Sequence, residues 1–130
     1  MKTENPEKKY KQKTVLLVED QKYNLLVLKM MLEKLGITVI PAKNGQEAVN
    51  ICSENKNIDL VLMDLKMPVM DGYKAMIEIK KTNPDMKIIA ETAYALSEDR
   101  RKILDAGFDD YLPKPIKPEK LDELLNLYLK

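Results

Sequence analysis

The chain has 130 residues, of which 45% are hydrophobic and 33% charged, so it is long enough for one globular core and too short to favour two. Its 22 Lys and Arg nearly balance 21 Asp and Glu, which excludes the broad field needed to bind nucleic acid or an acidic membrane directly. The absence of histidine excludes Ser/His triads, histidine metal ligands and a phosphohistidine of its own. A single cysteine excludes an internal disulfide, and because no apolar segment is long enough for membrane crossing or export, we expect a cytoplasmic protein.

Residues 1–13 differ in composition from the rest of the chain. They read MKTENPEKKYKQK, with five Lys, two Glu and no apolar periodicity. This composition predicts a solvated leader or the stub of a linker. No linker-like or low-complexity stretch interrupts residues 14–130, which we expect to form one domain.

Five short apolar segments alternate with segments of helical spacing. The strand-like segments begin near Thr14, Ile37, Ile58, Lys87 and Asp109. Gly36 is expected to end a first helix, and Asn44 to cap the start of a second. Ser97 is expected to begin another helix that stops at Gly107, and Pro118 to begin the terminal one. The apolar face of the first helix comprises Leu25, Leu28, Leu32 and Leu35.

This alternation predicts an α/β fold, specifically a doubly wound, five-stranded parallel sheet of the flavodoxin-like (βα)5 type. The first and third strands are the most apolar and suit the centre, whereas the fifth, followed by Pro113, suits an edge. The strand order 2-1-3-4-5 follows. In such sheets ligands bind beyond the carboxyl ends of the strands, where the winding direction reverses between strands one and three.

Three carboxylates are expected at that point. Glu19 and Asp20 end the first strand, and Asp64 ends the third. Two like charges about 4 Å apart repel by about 4 kcal/mol at an effective dielectric of about 20, so the trio requires a cation or a retained proton. A hard, oxygen-seeking ion such as Mg²⁺, or Mn²⁺, meets that requirement. The alternative is that these acids are solvated strand ends or helix caps.

Thr92 ends the fourth strand, and Lys114 follows the fifth. A lysine beside an acidic pocket can pair with a carboxylate or with phosphoryl oxygens, and a threonine hydroxyl can donate to the same oxygens. Each residue alone is more often a helix cap or a solvated surface group. Their combination with the three acids favours a site for a phosphoryl group.

Residues 14–130 resemble the receiver domain of two-component response regulators. The matching features, in order, are VED with Glu19 and Asp20, LVLMDLKMPVMDGY around Asp64, ETAYA around Thr92, DDYL with Tyr111, and LPKPI with Lys114. The MDLKMPVMDGY and AGFDDYLPKPI segments look most like receivers of hybrid sensor histidine kinases. The chain is therefore expected to be either a stand-alone regulator or a domain of such a kinase, in which residues 1–13 would be a linker stub. The parent would be a protein-histidine kinase, whereas the receiver itself is a self-phosphorylating signalling domain and not an enzyme.

The resemblance implies that Asp64 is the phosphoacceptor and takes the phosphoryl group from a sensor histidine kinase or a histidine phosphotransfer protein. It further implies a magnesium site formed by Asp20 and Asp64, helped by Glu19 directly or through water and completed by the backbone carbonyl of Lys66. Lys114 and Thr92 would bind the phosphoryl oxygens. An aspartate nucleophile with a metal and a lysine requires no general base, which suits a chain without histidine.

For signalling, the resemblance implies that Thr92 moves towards the phosphoryl group while Tyr111 swings inward. The output surface would be the helix 97–106, strand five and the helix 117–129, and a phosphorylation-dependent homodimer is left open. Lys66 and Tyr94 occupy positions that tune phosphoryl lifetime in this family, and because both are bulky we predict a long-lived phosphoprotein. A cis Lys114-Pro115 bond is also implied.

Three other functions are compatible with parts of this sequence. A flavodoxin-like cofactor binder shares the architecture, but its phosphate loop favours small residues where this chain has EDQK. A haloacid-dehalogenase-like phosphatase also uses an aspartate nucleophile, yet it requires a second Asp where this chain has Lys66. A degenerate receiver that acts only as a protein-binding module is the third.

Overall fold

The computed structural model describes residues 9–66, 70–93 and 97–129, without the side chains of Ser97 and Glu98. These residues form five strands and five helices that alternate along the chain: β1 (Thr14–Val18), α1 (Lys22–Lys34), β2 (Thr38–Ala42), α2 (Gly45–Glu54), β3 (Leu60–Asp64), α3 (Gly72–Thr82), β4 (Ile88–Thr92), α4 (Ser97–Ala106), β5 (Asp110–Pro113) and α5 (Pro118–Leu129). None of the helices within the described ranges is both long and apolar enough to cross a membrane.

The strands form a parallel sheet in the order β2-β1-β3-β4-β5, which confirms the predicted fold class and order. Pro41 lies in β2, at an edge where the missing N–H donor is tolerated. Because β1 and β3 are adjacent and the chain winds in opposite directions from them, the crevice of the fold opens beyond their carboxyl ends.

Local signals set the helix ends, and the predicted roles of Asn44 and Gly36 are confirmed. The Asn44 side chain accepts a hydrogen bond from the backbone N–H of Glu47 at 2.9 Å and so caps α2. The Asp71 side chain does the same for α3, accepting from the Lys74 N–H at 3.0 Å. Gly36, at φ 90°, follows α1 in the left-handed region, where glycine is favoured.

Side chains on the two sheet faces pack into two separate cores. On one face the strands pack against α2 and α3, with Met63 and Ala90 among the buried residues. On the other face they pack against α1 and α5, and this core includes Leu17, Leu62 and Ile89. Because side chains alternate along a strand, the residues two positions after Leu17, Leu62 and Ile89 lie on the α1/α5 face again, at the carboxyl ends of their strands.

The end of the expected leader packs against the domain instead of lying in solvent. The side chain of Tyr10 is only 3% exposed and belongs to the core between α1 and α5. Its hydroxyl donates to Asn126 Oδ1 at 2.6 Å, and its backbone N–H donates to the carbonyl of Leu35 at 2.9 Å. Burial, followed by the nearby Asp122 carboxylate, raises the pKa of Tyr10 to about 12. Packed structure therefore extends N-terminal to Thr14.

Candidate functional site

A cleft of about 780 Å³ opens at the carboxyl ends of β1, β3 and β4. Its walls come from strand ends and from the start of α1, so that the sheet sets the positions of the polar groups. Residues that line it include Asn24, Asp20, Asp64, Lys66, Thr92 and Lys114. The structure thus brings together, in Asp20, Asp64 with Lys66, Thr92 and Lys114, residues from four of the segments that the motif analysis singles out.

The three predicted carboxylates converge at this cleft. Glu19, Asp20 and Asp64 each offer an oxygen atom, and these oxygens lie within 4.8 Å of one another. Glu19 and Asp64 are buried, whereas Asp20 is exposed. Glu19 Oε1 lacks a hydrogen-bond partner among the described residues. A donor set made only of carboxylate oxygens, one of them unsatisfied, fits a hard divalent cation that keeps part of its water shell.

Lys114 inserts its ammonium group into the acidic cluster. Its Nζ lies 3.3 Å from Asp64 Oδ2 and 3.7 Å from Glu19 Oε1. Burial alone would lower the pKa of Lys114, but the carboxylates of Asp64 and Glu19 outweigh it and raise that pKa. Burial, together with the charge on Asp64, raises the pKa of Glu19 to about 7. The lysine therefore stays cationic beside two acidic side chains that repel each other.

The ends of β4 and β5 are joined beside the cleft. The Lys114 backbone N–H donates to the carbonyl oxygen of Thr92 at 2.8 Å, and Thr92 itself is buried. On β5 the half-buried Tyr111 lies under the guanidinium of Arg100 from α4, which is 5.5 Å from the ring centroid. The Lys114-Pro115 bond is cis, as the resemblance implied.

The loop residues after the third and fourth strands are only partly described. The backbone N–H of Lys66 donates to Asp64 Oδ1 at 3.2 Å, so this residue borders the carboxylate directly. Gly72 packs behind the same loop, where an added Cβ would meet the Asp64 carbonyl oxygen at 2.7 Å. Tyr94, the second residue predicted to tune phosphoryl lifetime, lies outside the described residues.

One residue of the site was missed by the sequence analysis. Glu91 is paired in register with Asp64, is 0% exposed, and has no hydrogen-bond partner for either carboxyl oxygen in the described part of the chain. Burial raises the pKa of Glu91 to about 8, with Glu19 and Asp64 adding to the rise and Lys114 opposing it. The sequence signal that could have identified it is a single Glu within the apolar strand IIAET.

The fold and the cleft together define a class of protein, a doubly wound α/β domain whose acidic crevice holds a lysine beside a buried aspartate. Sequence comparison then gives the family. Residues 15–126 match the response regulator receiver domain, and the chain belongs to that family. It is a receiver domain of two-component phosphorelay signalling, as predicted. This result decides against the flavodoxin-like and phosphatase alternatives.

Curated relatives are large kinases that contain such a domain. The chain is 38% identical over 120 residues to hybrid signal transduction histidine kinase I of Dictyostelium discoideum, covering 86% of this chain and 7% of that protein. It is also 38% identical over 116 residues to the sensor protein GacS of Pseudomonas syringae pv. syringae, covering 85% of this chain and 13% of that protein. The chain therefore spans a small part of the relatives that it matches.

Solved structures of other receiver domains have the same fold as this chain. The Saccharomyces cerevisiae receiver domain of a downstream response regulator, co-crystallised with a histidine phosphotransfer signaling protein, superposes with a TM-score of 0.83 at 35% identity, covering 92% of this chain and 90% of that one. The receiver domain of a Pseudomonas aeruginosa sensor histidine kinase, with a magnesium ion coordinated in its active site cleft, gives 0.83 at 39% identity, covering 90% and 97%.

Proposed function

We propose that the domain accepts a phosphoryl group on Asp64 from a phosphohistidine of a partner protein. The observation that carries the proposal is the environment of this carboxylate. Asp64 is 5% exposed at the floor of an open cleft, contacts the Lys114 ammonium, and has an oxygen within 4.8 Å of oxygens from two further acids. Such a carboxylate is shielded from bulk water and is accompanied by the positive charge that phosphoryl transfer requires.

The cation that suits the cluster is Mg²⁺, with Mn²⁺ as the next choice. Asp20 and Asp64 would hold it through their carboxylates, Glu19 directly or through water, and Lys66 through its backbone carbonyl. When bound, the ion offsets the negative charge that gathers between the acids and the incoming phosphoryl oxygens. The all-oxygen donor set of this chain and the magnesium ion in the Pseudomonas aeruginosa relative support this choice.

The transfer itself is a displacement at phosphorus. A carboxylate oxygen of Asp64 forms the new P–O bond while the P–N bond to the donor histidine breaks. The electron pair of that bond returns to the ring nitrogen, and the ring leaves as neutral imidazole with its proton on the other nitrogen. Lys114 holds the phosphoryl oxygens, Thr92 donates its hydroxyl to one of them, and no residue of this chain has to remove a proton. The domain is thus a substrate of the relay and not an enzyme acting on others.

Phosphorylation then shifts the equilibrium between two arrangements of the cleft and its edge. Thr92 moves towards the phosphoryl oxygen and Tyr111 moves inward, because the new anion offers hydrogen bonds that exist in only one arrangement. The described contacts supply a route, since the Lys114 N–H bonds the Thr92 carbonyl and Arg100 lies over the Tyr111 ring. The output surface is therefore α4, β5 and α5.

Phosphoryl lifetime is set by the residues at the mouth of the cleft. Lys66 is exposed and adjoins the acceptor, where its long side chain hinders the approach of a hydrolytic water. We propose that Tyr94, two residues after Thr92 in the sequence, acts in the same direction. A slow loss of the phosphoryl group suits a relay that hands it onward.

The parent protein is proposed to be a hybrid sensor histidine kinase with this receiver on its cytoplasmic side. The kinase relatives, of which the chain spans only a small part, support this proposal. In such a protein the phosphoryl group passes from the kinase histidine to Asp64 and then to a histidine phosphotransfer protein. The co-crystallised yeast pair supports that last partner.

The surface that receives the phosphotransfer partner is proposed to be α1. Its outer side carries an exposed apolar stripe at i, i+3, i+4 and i+7, formed by Tyr23, Leu26, Val27 and Met30. The start of α1 lines the cleft, and the phosphorus atom carried by a partner histidine has to come within about 3.5 Å of the Asp64 oxygen, so the partner must cover this rim. A helical face of the partner would bury the stripe.

Substitution of Leu26 by Glu tests this surface. With a histidine phosphotransfer protein that phosphorylates the wild-type domain, we expect transfer to slow by at least about tenfold, because the charge disrupts an apolar contact. Phosphorylation by the small donor phosphoramidate should not change. Ile77→Glu makes the same chemical change at another exposed apolar residue, on α3, and should leave both rates unaltered. Equal slowing by the two variants would contradict the assignment of α1.

Metal dependence tests the proposed chemistry as a whole. Purified domain incubated with phosphoramidate and Mg²⁺ is expected to gain the mass of one phosphoryl group, located on Asp64 by peptide mass spectrometry. Chelation of the metal should remove this gain almost completely, because the single charge of Lys114 is then left to offset the repulsion between the acids and the phosphoryl oxygens. Labelling that is indifferent to the chelator, or labelling at another residue, would overturn the proposal. A complete lack of labelling would identify a degenerate receiver.

A further inference from the structure

A row of three acids crosses the sheet at the cleft. Asp64 pairs in register with Glu91 on β4, and the pairing of Val18 with Met63 places Glu19 beside Asp64 on the other side. Neighbouring strands are about 4.8 Å apart, and all three residues return to the α1/α5 face. Together with the exposed Asp20, these residues therefore make a cluster of four acids, and Glu91 is the one that is not among the three whose oxygens could hold a cation.

Lys114 reaches its partners by crossing the strand that carries Glu91. The residue two positions before it, Leu112, pairs with Glu91, so Lys114 extends from the edge strand β5 on the same face. Its Nζ nevertheless contacts Asp64 on β3 and Glu19 after β1, at 3.3 and 3.7 Å. The ammonium thus bypasses the carboxyl group of Glu91 on the adjacent strand. Neither oxygen of that group has a hydrogen-bond partner in the described structure.

A divalent cation and this ammonium require the same oxygen atoms. When a cation is held by Asp64 and Glu19, a positive charge 3.3 to 3.7 Å from those carboxylates is repelled and has to move. Space for that movement exists, because a second cavity of about 520 Å³ between α1 and the segment after β5 is lined by both Lys114 and Glu91. A buried carboxyl group without a partner is costly, so the structure offers the displaced ammonium an unsatisfied acceptor.

We propose that Glu91 is a positioning residue for Lys114, accepting its ammonium group when a divalent cation occupies the acids of the cleft. The inference rests on the proposed function, since it assumes the magnesium site. Lys114 then has two arrangements. Without the cation it neutralises Asp64 and Glu19, and with the cation it pairs with Glu91 and stays within reach of a phosphoryl group on Asp64. Cation binding thereby favours the Lys114–Glu91 pair, and this pair in turn favours cation binding.

A double-mutant cycle on Mg²⁺ affinity, measured by isothermal titration calorimetry, tests this inference. Glu91→Gln is expected to weaken Mg²⁺ binding about fivefold, at the low end of ordinary coupling effects, because the displaced ammonium loses its acceptor. In a Lys114→Met background, the same substitution should change the affinity by less than about twofold, since no ammonium has to be relocated. Glu123→Gln, the same change at an exposed residue of α5, should leave Mg²⁺ binding unaltered.

The outcomes separate the inference from the proposed function. Wild-type domain that binds no Mg²⁺ would remove the metal site and the inference with it. Normal binding in wild type with no effect of Glu91→Gln would overturn the inference alone. An equal loss with and without Lys114 would show that Glu91 acts directly on the cation, which also overturns the positioning role. Glu91→Met repeats the cycle if the Gln variant does not fold, as judged by circular dichroism.

Discussion

Replacement of Asp64 by Asn is expected to abolish phosphorylation of the domain, lowering the rate of phosphoryl uptake from phosphoramidate by at least about a thousandfold. The amide has no anionic oxygen to attack phosphorus, and it removes one negative charge from the cation site. Intact-mass spectrometry over a time course with Mg²⁺ measures the effect. Asp85→Asn makes the same chemical change in the exposed turn before β4, at the opposite end of the sheet, and should be labelled like wild type.

The Asp64→Asn variant should also remain folded. Part of the charge repulsion in the cluster disappears with the Asp64 carboxylate, because that charge is one of the two main causes of the raised pKa of Glu19. We therefore expect a thermal unfolding temperature no lower than that of wild type in the absence of metal. Normal labelling of a folded Asn variant would refute Asp64 as the acceptor. Loss of labelling in an unfolded one would leave chelation and site mapping in the wild type to decide.

Replacement of Tyr10 by Ala is expected to lower the free energy of unfolding by about 3 kcal/mol, measured by urea denaturation at neutral pH. The residue fills space between α1 and α5, and its hydroxyl bonds Asn126, so truncation leaves a cavity and an unpaired amide. Tyr10→Phe isolates the hydroxyl and should lower the free energy of unfolding by about 1 kcal/mol.

Tyr23→Ala is the matched control for this prediction. That tyrosine is 76% exposed on α1, so its removal should change the free energy of unfolding by less than about 0.5 kcal/mol. A similar small change for Tyr10→Ala would mean that the segment before β1 is solvated, as its composition suggested. A large change would extend the folded unit to include at least residue 10.

The fold and most of the cleft were predictable because they depend on local patterns. Strand and helix alternation fixed a parallel sheet, and apolar content put β1 and β3 at its centre. The strand-terminal positions of Asp64, Thr92 and Lys114 then followed from topology alone, since carboxyl ends of parallel strands meet at one edge. The cis Lys114-Pro115 bond came only from the family resemblance, because a trans bond is the ordinary expectation for any X-Pro pair.

Two features could not be predicted from the sequence because they depend on contacts between distant segments. Tyr10 is a single aromatic residue in a lysine-rich run, and nothing in that run reveals that α1 and α5 leave a space for it. Glu91 lies in a motif that drew attention to its neighbour Thr92. Only the register with Asp64 and the burial of the strand show that this acid belongs to the site.

The backbone hydrogen bond between Lys114 and Thr92 has a consequence for how a signal leaves the cleft. It joins the backbones of two neighbouring strand ends, so a shift of the main chain at one end acts on the other. Under the proposed function, a displacement of the Thr92 main chain would pass through this bond to the outermost strand of the sheet. A downstream protein would then sense the geometry of that rim and not a change in the hydrophobic interior.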